Sequence, residues 1–454
     1  MIHTCLSISP SNTIFGDIVV PGDKSISHRA IILASISDKQ TYVENMLLSD
    51  DVLSTMHIMR ALGVLIDIDD EKTSAFVHGV GLNGLQRPDN PLDCGNSGTS
   101  MRLLCGLLSG QKFNSILIGD AALSKRPMLR IAAPLRLMGA KINLSSNNTA
   151  PIEMIGNQEL KGIDYELLIP SAQVKSGILL AGLYADGKTQ VREKTPTRDH
   201  TERMLKNPLG SLCSPTPFYK GGEINKANNF LSLRNGCASP SFLKKGGRGR
   251  FIKIPGDISS AAFFIVLAAI TKHADVIIRQ VGVNPFRTGI IDILKLMGAN
   301  ITVFNETFFG AEPVADIHVR YASLQGVTIP VALISKAIDE LPVILIAAAT
   351  AHGKTILRGA KELRVKESDR IHAMCAGFKN IGVTVQEYDD GVEIEGPQLF
   401  SGGQVNSFGD HRIAMAFAIA GNVASGRVII DNCANIATSF PNFVAVAHSL
   451  GMRF

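Results

Sequence analysis

Gly249-Arg-Phe-Ile-Lys-Ile-Pro255-Gly-Asp-Ile-Ser-Ser-Ala-Ala-Phe-Phe-Ile-Val-Leu-Ala-Ala-Ile270 decides the fold. Its β-branched start reads as a short strand, and Pro255 ends the strand because it cannot donate to a ladder. The apolar run Ser259–Ile270 then reads as a buried helix, and Val276–Gln280 as a second strand. A second helix ends at Leu296-Met-Gly298-Ala-Asn-Ile, with the glycine where a helix exits through positive φ. The same punctuation recurs outward in both directions. Strands ending in proline stand at Gly16-Asp-Ile-Val-Val-Pro21, Asp164-Tyr-Glu-Leu-Leu-Ile-Pro170 and Gly326-Val-Thr-Ile-Pro330. Apolar helical runs follow at Ser27–Ser37, Ser171–Leu183 and Ile338–Thr350, and two more lie at Cys94–Gly110 and Gly409–Val423. Exit glycines stand at Gly63, Gly139, Gly298, Gly382 and Gly451, about one period apart except between Gly139 and Gly298, where one marker is missing. Six strand–helix–strand–helix–strand units span the chain, an α/β protein built from repeats.

Composition narrows the function. The chain has 454 residues, 45% hydrophobic and 19% charged, which excludes disorder and implies two domains with large cores. Tryptophan is absent and aromatics are 6%, against stacking on single-stranded nucleic acid. A net charge of +5 suits anionic small molecules and falls short of a nucleic-acid footprint. Seven cysteines without C-x-x-C or histidine spacing argue against zinc and for reduced, core-filling thiols. No apolar run approaches the ~18 residues of a membrane span, and the start lacks signal-peptide regions. A cytoplasmic protein is expected, without nucleic-acid or membrane partners.

Polar residues out of keeping with the apolar runs gather at helix starts. First helices open at Asp23-Lys24-Ser25, Asn96-Ser97-Gly98-Thr99, Ser171-Ala172-Gln173, Asp257-Ile-Ser259, Asp339-Glu340 and Asp410-His411-Arg412. Second helices open near Lys125-Arg126-Pro127, Arg198-Asp-His200 and Lys366-Glu367-Ser-Asp369-Arg370. N-capping accounts for most of the Ser, Thr, Asp and Asn residues. It does not account for lysines and arginines, which a helix N-terminus disfavours. Cations gathered with free N–H groups suit a polyanion, most simply a phosphorylated substrate. Gly22-Asp23-Lys24-Ser25 fails the P-loop spacing and no G-x-G-x-x-G joins a strand to a helix, so no nucleotide cofactor is implied.

At this level of detail the motifs are distinctive. Pro21-Gly-Asp-Lys-Ser-Ile-Ser-His-Arg29, Gly95-Asn-Ser-Gly-Thr-Ser-Met-Arg102, Lys125-Arg-Pro-Met128, Ser171-Ala-Gln-Val-Lys-Ser176, Thr197-Arg-Asp-His-Thr-Glu-Arg203, Leu363-Arg-Val-Lys-Glu-Ser-Asp-Arg370, Asp410-His-Arg412 and Ile436-Ala-Thr-Ser-Phe-Pro441 spread over nearly the whole chain. The sequence resembles the 5-enolpyruvylshikimate-3-phosphate synthases, in the form of the bacterial class II branch. The resemblance implies the two-domain enolpyruvyl transferase fold, with six βαβαββ repeats, three per domain, and an active site in the interdomain cleft. The expected domains are 24–250 and 1–23 plus 251–454, with crossovers near 20–24 and 250–256. It implies transfer of the enolpyruvyl group of phosphoenolpyruvate to the 5-hydroxyl of shikimate 3-phosphate by a monomer, with no metal or organic cofactor.

Site residues carry over one by one. Lys24, Ser25 and Arg29 are expected to grip shikimate 3-phosphate, with Lys24 also near phosphoenolpyruvate and in the catalytic set. Asn96, Gly98 and Thr99 form a loop on the donor anion, and Arg126, Arg370 and Arg412 clamp it with bidentate guanidinium geometry. Ser171 and Gln173 offer polar groups to the substrates. Ala172 stands where other branches carry serine, so one acceptor hydrogen bond is expected to be absent. Arg198 and Lys366 add charge near the sugar phosphate. Asp339 is the expected proton acceptor at the 5-hydroxyl and Glu367 its partner at C3. His411 ranks below these as an assisting group, and His200 reads as structural. Position alone leaves both carboxylates open to a capping role. Glyphosate occupies the donor site in this family, and tolerant class II members carry alanine at the position of Gly98, so a sensitive protein is expected.

Two readings compete at the edges. The nearest rival acceptor is UDP-N-acetylglucosamine, but that family carries a reactive cysteine in a mobile loop, and Leu123-Ser-Lys-Arg-Pro-Met128 has none. A non-catalytic phosphate-binding relative is the other. It bears on Asn207-Pro-Leu-Gly-Ser-Leu-Cys-Ser-Pro-Thr-Pro217, which extends neither helix nor strand and sits in a basic stretch to Arg250. Residues 207–250 read as foreign to the family, leaving the third repeat incomplete.

Overall fold

The computed structural model describes residues 4–206, 230–234 (backbone only) and 249–454. The chain divides into two compact units, Gly22–Ile254 with Phe309–Glu312, and Met1–Pro21 with Pro255–Phe308 and Pro313–Phe454.

The first-named unit holds helices α1 (Lys24–Ser35), α2 (Asp50–Ala61), α3 (Gly98–Ser109), α4 (Leu129–Leu137), α5 (Ala172–Gly182) and α6 (His200–Lys206). Ten of the twelve residues of α1 and eleven of the twelve of α3 are buried, because these helices are apolar on nearly every face. Helix α3 packs on both α1 and α5. It approaches α5 so closely that a Cβ on Gly106 would lie 2.0 Å from the Gly177 carbonyl oxygen, so only glycine fits there.

The other unit holds α7 (Ile258–Ile270), α8 (Gly289–Leu296), α9 (Val331–Ala337), α10 (Leu341–Thr350), α11 (Arg370–Asn380), α12 (His411–Val423) and α13 (Phe443–Ser449). Helices α7, α10 and α12 pack against one another, and all thirteen residues of α7 are buried. Each fully buried Ile, Leu or Phe contributes roughly 1.5–3 kcal/mol, so these three helices form the core of the unit. The helix α9, between Pro330 and α10, is one the hydrophobic pattern does not announce.

Among the described residues six sheets flank the helices. In four of them the segment before a first helix pairs in parallel with the strand after that helix, as a helical crossover requires, and in the other two it pairs in parallel with the strand after a different first helix. The partners are not always the nearest in sequence. Phe15–Val19 leads into α1 yet pairs with Asp275–Gly282, whereas Arg250–Lys253 leads into α7 yet pairs with Gln40–Glu44. Arg250–Lys253 therefore lies in the same unit as α1, and the boundary falls after Ile254. The sixth sheet is closed by the chain start, with Cys5–Ile8 antiparallel to Val428–Asp431.

All five exit glycines have positive φ, between +81° and +103°. Of the 207–250 stretch, 207–229 and 235–248 lie outside the described residues. Within it, Phe230–Arg234 is a strand antiparallel to Lys188–Glu193, so the third sheet has three strands, 164–167, 188–193 and 230–234. Among the described residues no helix is long and apolar enough to cross a membrane.

Candidate active site

The expected site residues fall into two groups, one in each unit. In the unit of α1–α6 they sit at helix starts set by side-chain caps. Asp23 accepts from the Ile26 N–H (2.9 Å), Ser97 from the Ser100 N–H (3.1 Å) and Ser171 from the Val174 N–H (3.4 Å). No acidic residue occupies the first turn of α1, α3 or α5, and α3 and α5 are capped by serine, so the positive ends of those two carry no carboxylate cap.

Lys24 Nζ lies 3.0 Å from Asp51 Oδ2 at the start of α2, with both side chains mostly buried. Arg29 is buried and fully engaged. Its Nε donates to Thr201 Oγ1 (2.7 Å), one terminal nitrogen to Ser176 Oγ (2.7 Å) and the other to the Ser25 carbonyl (2.8 Å). Burial pulls its pKa down to about 10, with Glu202 and Asp23 opposing and Arg198 adding to the pull. Asn96 Oδ1 accepts from Arg126 (2.9 Å), and its amide donates to Asp120 (2.7 Å). Gln173 donates to Thr99 Oγ1 (2.8 Å) and accepts from Arg102 (2.5 Å). Thus Asn96, Gly98, Thr99, Arg126 and Gln173 form one connected cluster, with Ala172 opening α5 beside Gln173 and Arg198 two residues before α6.

Arg102 was missing from the expected set. A Cβ on Gly98 would stand 3.1 Å from an Arg102 terminal nitrogen and 3.1 Å from one of Arg126, so both guanidinium groups line the loop. The signal was available: Arg102 lies four residues after Gly98 on one helix, hence on the same face.

In the other unit the centre is Arg370, buried to 1% side-chain exposure. Its Nε is 2.8 Å from Asp410 Oδ2, and its terminal nitrogens are 2.5 Å from Glu367 Oε2 and 3.3 Å from Asp339 Oδ1. Burial opposes the charge, but Asp410, Glu367 and Asp339 together hold its pKa above the usual arginine value. Asp410 feels the converse: burial would raise its pKa, and Arg370 holds it below the usual carboxylate value. Asp410 also caps α12 through the Arg412 N–H (2.9 Å). Lys366 Nζ approaches Asp339 Oδ1 at 3.9 Å; burial, helped by Arg370, keeps its pKa below the usual lysine value despite Asp339. Arg412 donates to the Asp339 carbonyl (3.0 Å) and stands 4.0 Å from Glu340, which is fully buried and hydrogen-bonded to Ser259.

The capping alternative for the two carboxylates is resolved by these contacts. Asp369, not Glu367, caps α11, and the cap position of α10 is Glu340, while Asp339 faces Arg370 and Lys366. Glu340 and Asp410 had no separate chemical signal in the sequence, since both read as ordinary capping residues. His411 is buried at the start of α12, and His200 pairs with Glu312 at 2.8 Å.

An α/β chain of repeated parallel crossovers, with cations at helix starts in one unit and three carboxylates on one arginine in the other, has the fold of an enolpyruvyl transferase. The solved structure of the enolpyruvyl transferase NikO from Streptomyces tendae is similar at a TM-score of 0.76, over 99% of this chain and 98% of that one, with 15% identity. Identity is far higher elsewhere: EPSP synthase from Acinetobacter baumannii reaches a TM-score of 0.84 at 48% identity, over 99% of both chains. The 3-phosphoshikimate 1-carboxyvinyltransferase of Legionella pneumophila (strain Lens) is 51% identical over 441 residues, 97% of this chain and 96% of that protein. The family model for EPSP synthase (3-phosphoshikimate 1-carboxyvinyltransferase) matches residues 8–227 and 241–446. The chain belongs to the EPSP synthase family. These matches do not favour the UDP-N-acetylglucosamine reading, and the family match runs on through residue 227, leaving only 228–240 between its two parts.

Proposed function

We propose that this chain transfers the enolpyruvyl group of phosphoenolpyruvate to the 5-hydroxyl of shikimate 3-phosphate, releasing phosphate, with Asp339 and Glu367 as its proton-transfer pair. The observation that carries the reading is that both carboxylates rest on one buried guanidinium, Arg370. Asp410 grips the inner side of Arg370 and is itself fully buried, whereas Asp339 and Glu367 retain some exposure. An arriving carboxylate or phosphate competes with Asp339 and Glu367 for Arg370 and leaves Asp410 in place. Donor binding therefore frees the two carboxylates for proton transfer.

Asp339 takes the proton of the 5-hydroxyl as its oxygen attacks C2 of the donor, while Glu367 in its acid form gives a proton to C3. The tetrahedral intermediate then loses phosphate, and Glu367 removes a proton from the new methyl group to restore the enol. Arg412, steadied by Asp339's carbonyl and next to Glu340, clamps the donor with Arg370 and Arg126. Lys24, Ser25, Arg29, Ser171, Gln173, Arg198 and Lys366 hold the acceptor, and Asn96, Gly98, Thr99 and Gln173 hold the donor. The chain acts as a cytoplasmic monomer, to be tested by sedimentation and cell fractionation.

The deciding assay is phosphate release from phosphoenolpyruvate with shikimate 3-phosphate, with UDP-N-acetylglucosamine, and with neither acceptor. Turnover with shikimate 3-phosphate alone supports the reading. Turnover only with UDP-N-acetylglucosamine, or with no acceptor, refutes it.

A further inference from the structure

Helix α5 carries a buried ammonium group that the proposed chemistry does not use. Lys175 Nζ lies 2.7 Å from Glu193 Oε2, 2.7 Å from Glu202 Oε1 and 3.4 Å from the Thr197 carbonyl oxygen. All three charged side chains are less than one-tenth exposed. An ammonium has three protons, and here each has a partner on a different piece of chain. Glu193 ends the strand Lys188–Glu193, Thr197 stands immediately before Arg198, and Glu202 lies in α6. Glu193 also accepts from the Thr197 hydroxyl and, at 3.4 Å, from its N–H. The 194–199 segment is thereby held where it begins, beside Arg198, and where it enters α6.

The next residue of α5 extends the arrangement. Ser176 Oγ meets both Arg29 and Thr201 at 2.7 Å, so α6 and Arg29 are fastened to the same turn of helix that Lys175 fastens to the Arg198 segment. Charge balances in this buried set, with Lys175 and Arg29 against Glu193 and Glu202. Burial opposes the Lys175 ammonium, but Glu202 and Glu193 outweigh it and hold the pKa above the usual lysine value, so the group is a fixed cation.

We propose that Lys175 is a positioning residue for recognition of the phosphorylated acceptor. It sets the Arg198 segment and α6 relative to the start of α5, where Ser171 and Gln173 lie, without touching substrate itself. The inference rests on the assignment of Arg198 and Arg29 to shikimate 3-phosphate.

The test is steady-state kinetics of the full chain carrying Lys175→Met, Lys175→Arg or Arg198→Ala, with thermal melting alongside. Lys175→Met is expected to raise the KM for shikimate 3-phosphate about tenfold or more, equivalent to ~1.4 kcal/mol, with the KM for phosphoenolpyruvate and kcat within about threefold. Lys175→Arg, which keeps the charge, is expected to recover most of the acceptor affinity. A residue that only supports folding would lower the active fraction, and with it apparent kcat, while leaving both KM values alone; that result overturns the proposal, as does an equal rise in both KM values. If Lys175→Met does not fold, Glu193→Gln is read for the same split, and an unchanged acceptor KM there overturns the proposal. Arg198→Ala separates the two levels. If it leaves the acceptor KM unchanged, the assignment of Arg198 is wrong and the inference falls with it. If it raises that KM and Lys175→Met does not, the assignment stands and the positioning role is refuted.

Discussion

Gly98→Ala is the most informative single substitution, because the structure separates its effect on the site from its effect on the fold. Gly98 opens α3 with φ outside the left-handed region, so alanine brings no backbone strain. Its new methyl group would stand 3.1 Å from a terminal nitrogen of Arg102 and 3.1 Å from one of Arg126, with Leu123 at an ordinary 3.7 Å. Both tight contacts are the ends of flexible side chains, which can give by a few tenths of an ångström. The cost to folding should therefore stay within the ~0.5 kcal/mol typical of a benign substitution. The site has less freedom, since Arg102 is tied to Gln173 and Arg126 to Asn96.

Displacing both guanidinium groups while adding a methyl to the loop amounts to overpacking, worth ~1–3 kcal/mol against a ligand that fills the same space. Glyphosate, longer than phosphoenolpyruvate, should lose roughly 10- to 100-fold in affinity, at tenfold per 1.4 kcal/mol. The shorter natural donor should lose less. The assay is phosphate release with both constants measured on wild type and variant. The wild type is expected to be sensitive, and the inhibition constant of Gly98→Ala to rise several-fold more than its donor KM. Equal shifts in the two constants would refute the steric account, and a tolerant wild type would show that other residues shape the pocket.

Asp339→Asn keeps the size and polarity of the proposed base but cannot take a proton; turnover should fall about 10²–10⁴-fold with both KM values little changed, and near-normal kcat removes Asp339 from the mechanism. Lys366, its pKa lowered by burial, should lose its proton below the usual lysine range near 10.4, so acceptor KM should climb early on the alkaline side. Lys366→Arg should move that limb to higher pH, and a profile identical to wild type would rule Lys366 out as its source. His28 is buried, with Nδ1 2.8 Å from Thr55 Oγ1, and burial together with Lys24 and Arg29 pushes its pKa well down. The unfolded chain takes up this proton near pH 6.5 and the folded chain does not, so the contribution is complete above about 6.5 and lost below it at up to ~1.4 kcal/mol per pH unit. Urea unfolding at pH 7.5 and 5.5 should show a shallower loss for His28→Asn than for wild type; equal losses would mean His28 is not the titrating group.

The repeat was legible because its signals are local. A proline that ends a strand, an apolar run and a glycine at positive φ each act within a few residues, and all five exit glycines keep that conformation in the folded chain. The capping residues Asp23, Ser97, Ser171 and Asp410 were legible for the same reason, since a cap bond spans only two or three positions. Family motifs supplied most of the candidate site, but only as residue names. Other features depended on partners far apart in sequence. Strand edges offer the same backbone groups to any neighbour, so nothing local told Phe15–Val19 to pair with Asp275–Gly282, or Arg250–Lys253 with Gln40–Glu44. The start of the chain closes the last sheet for the same reason. Tertiary structure likewise decided what the charges do. The motifs offered Arg370 only as an expected clamp, whereas its three carboxylates come from positions 339, 367 and 410. Lys175 was an unremarked lysine in an apolar helix until folding buried it between Glu193 and Glu202. Burial makes such charges find partners, and only the folded chain determines which partners are within reach.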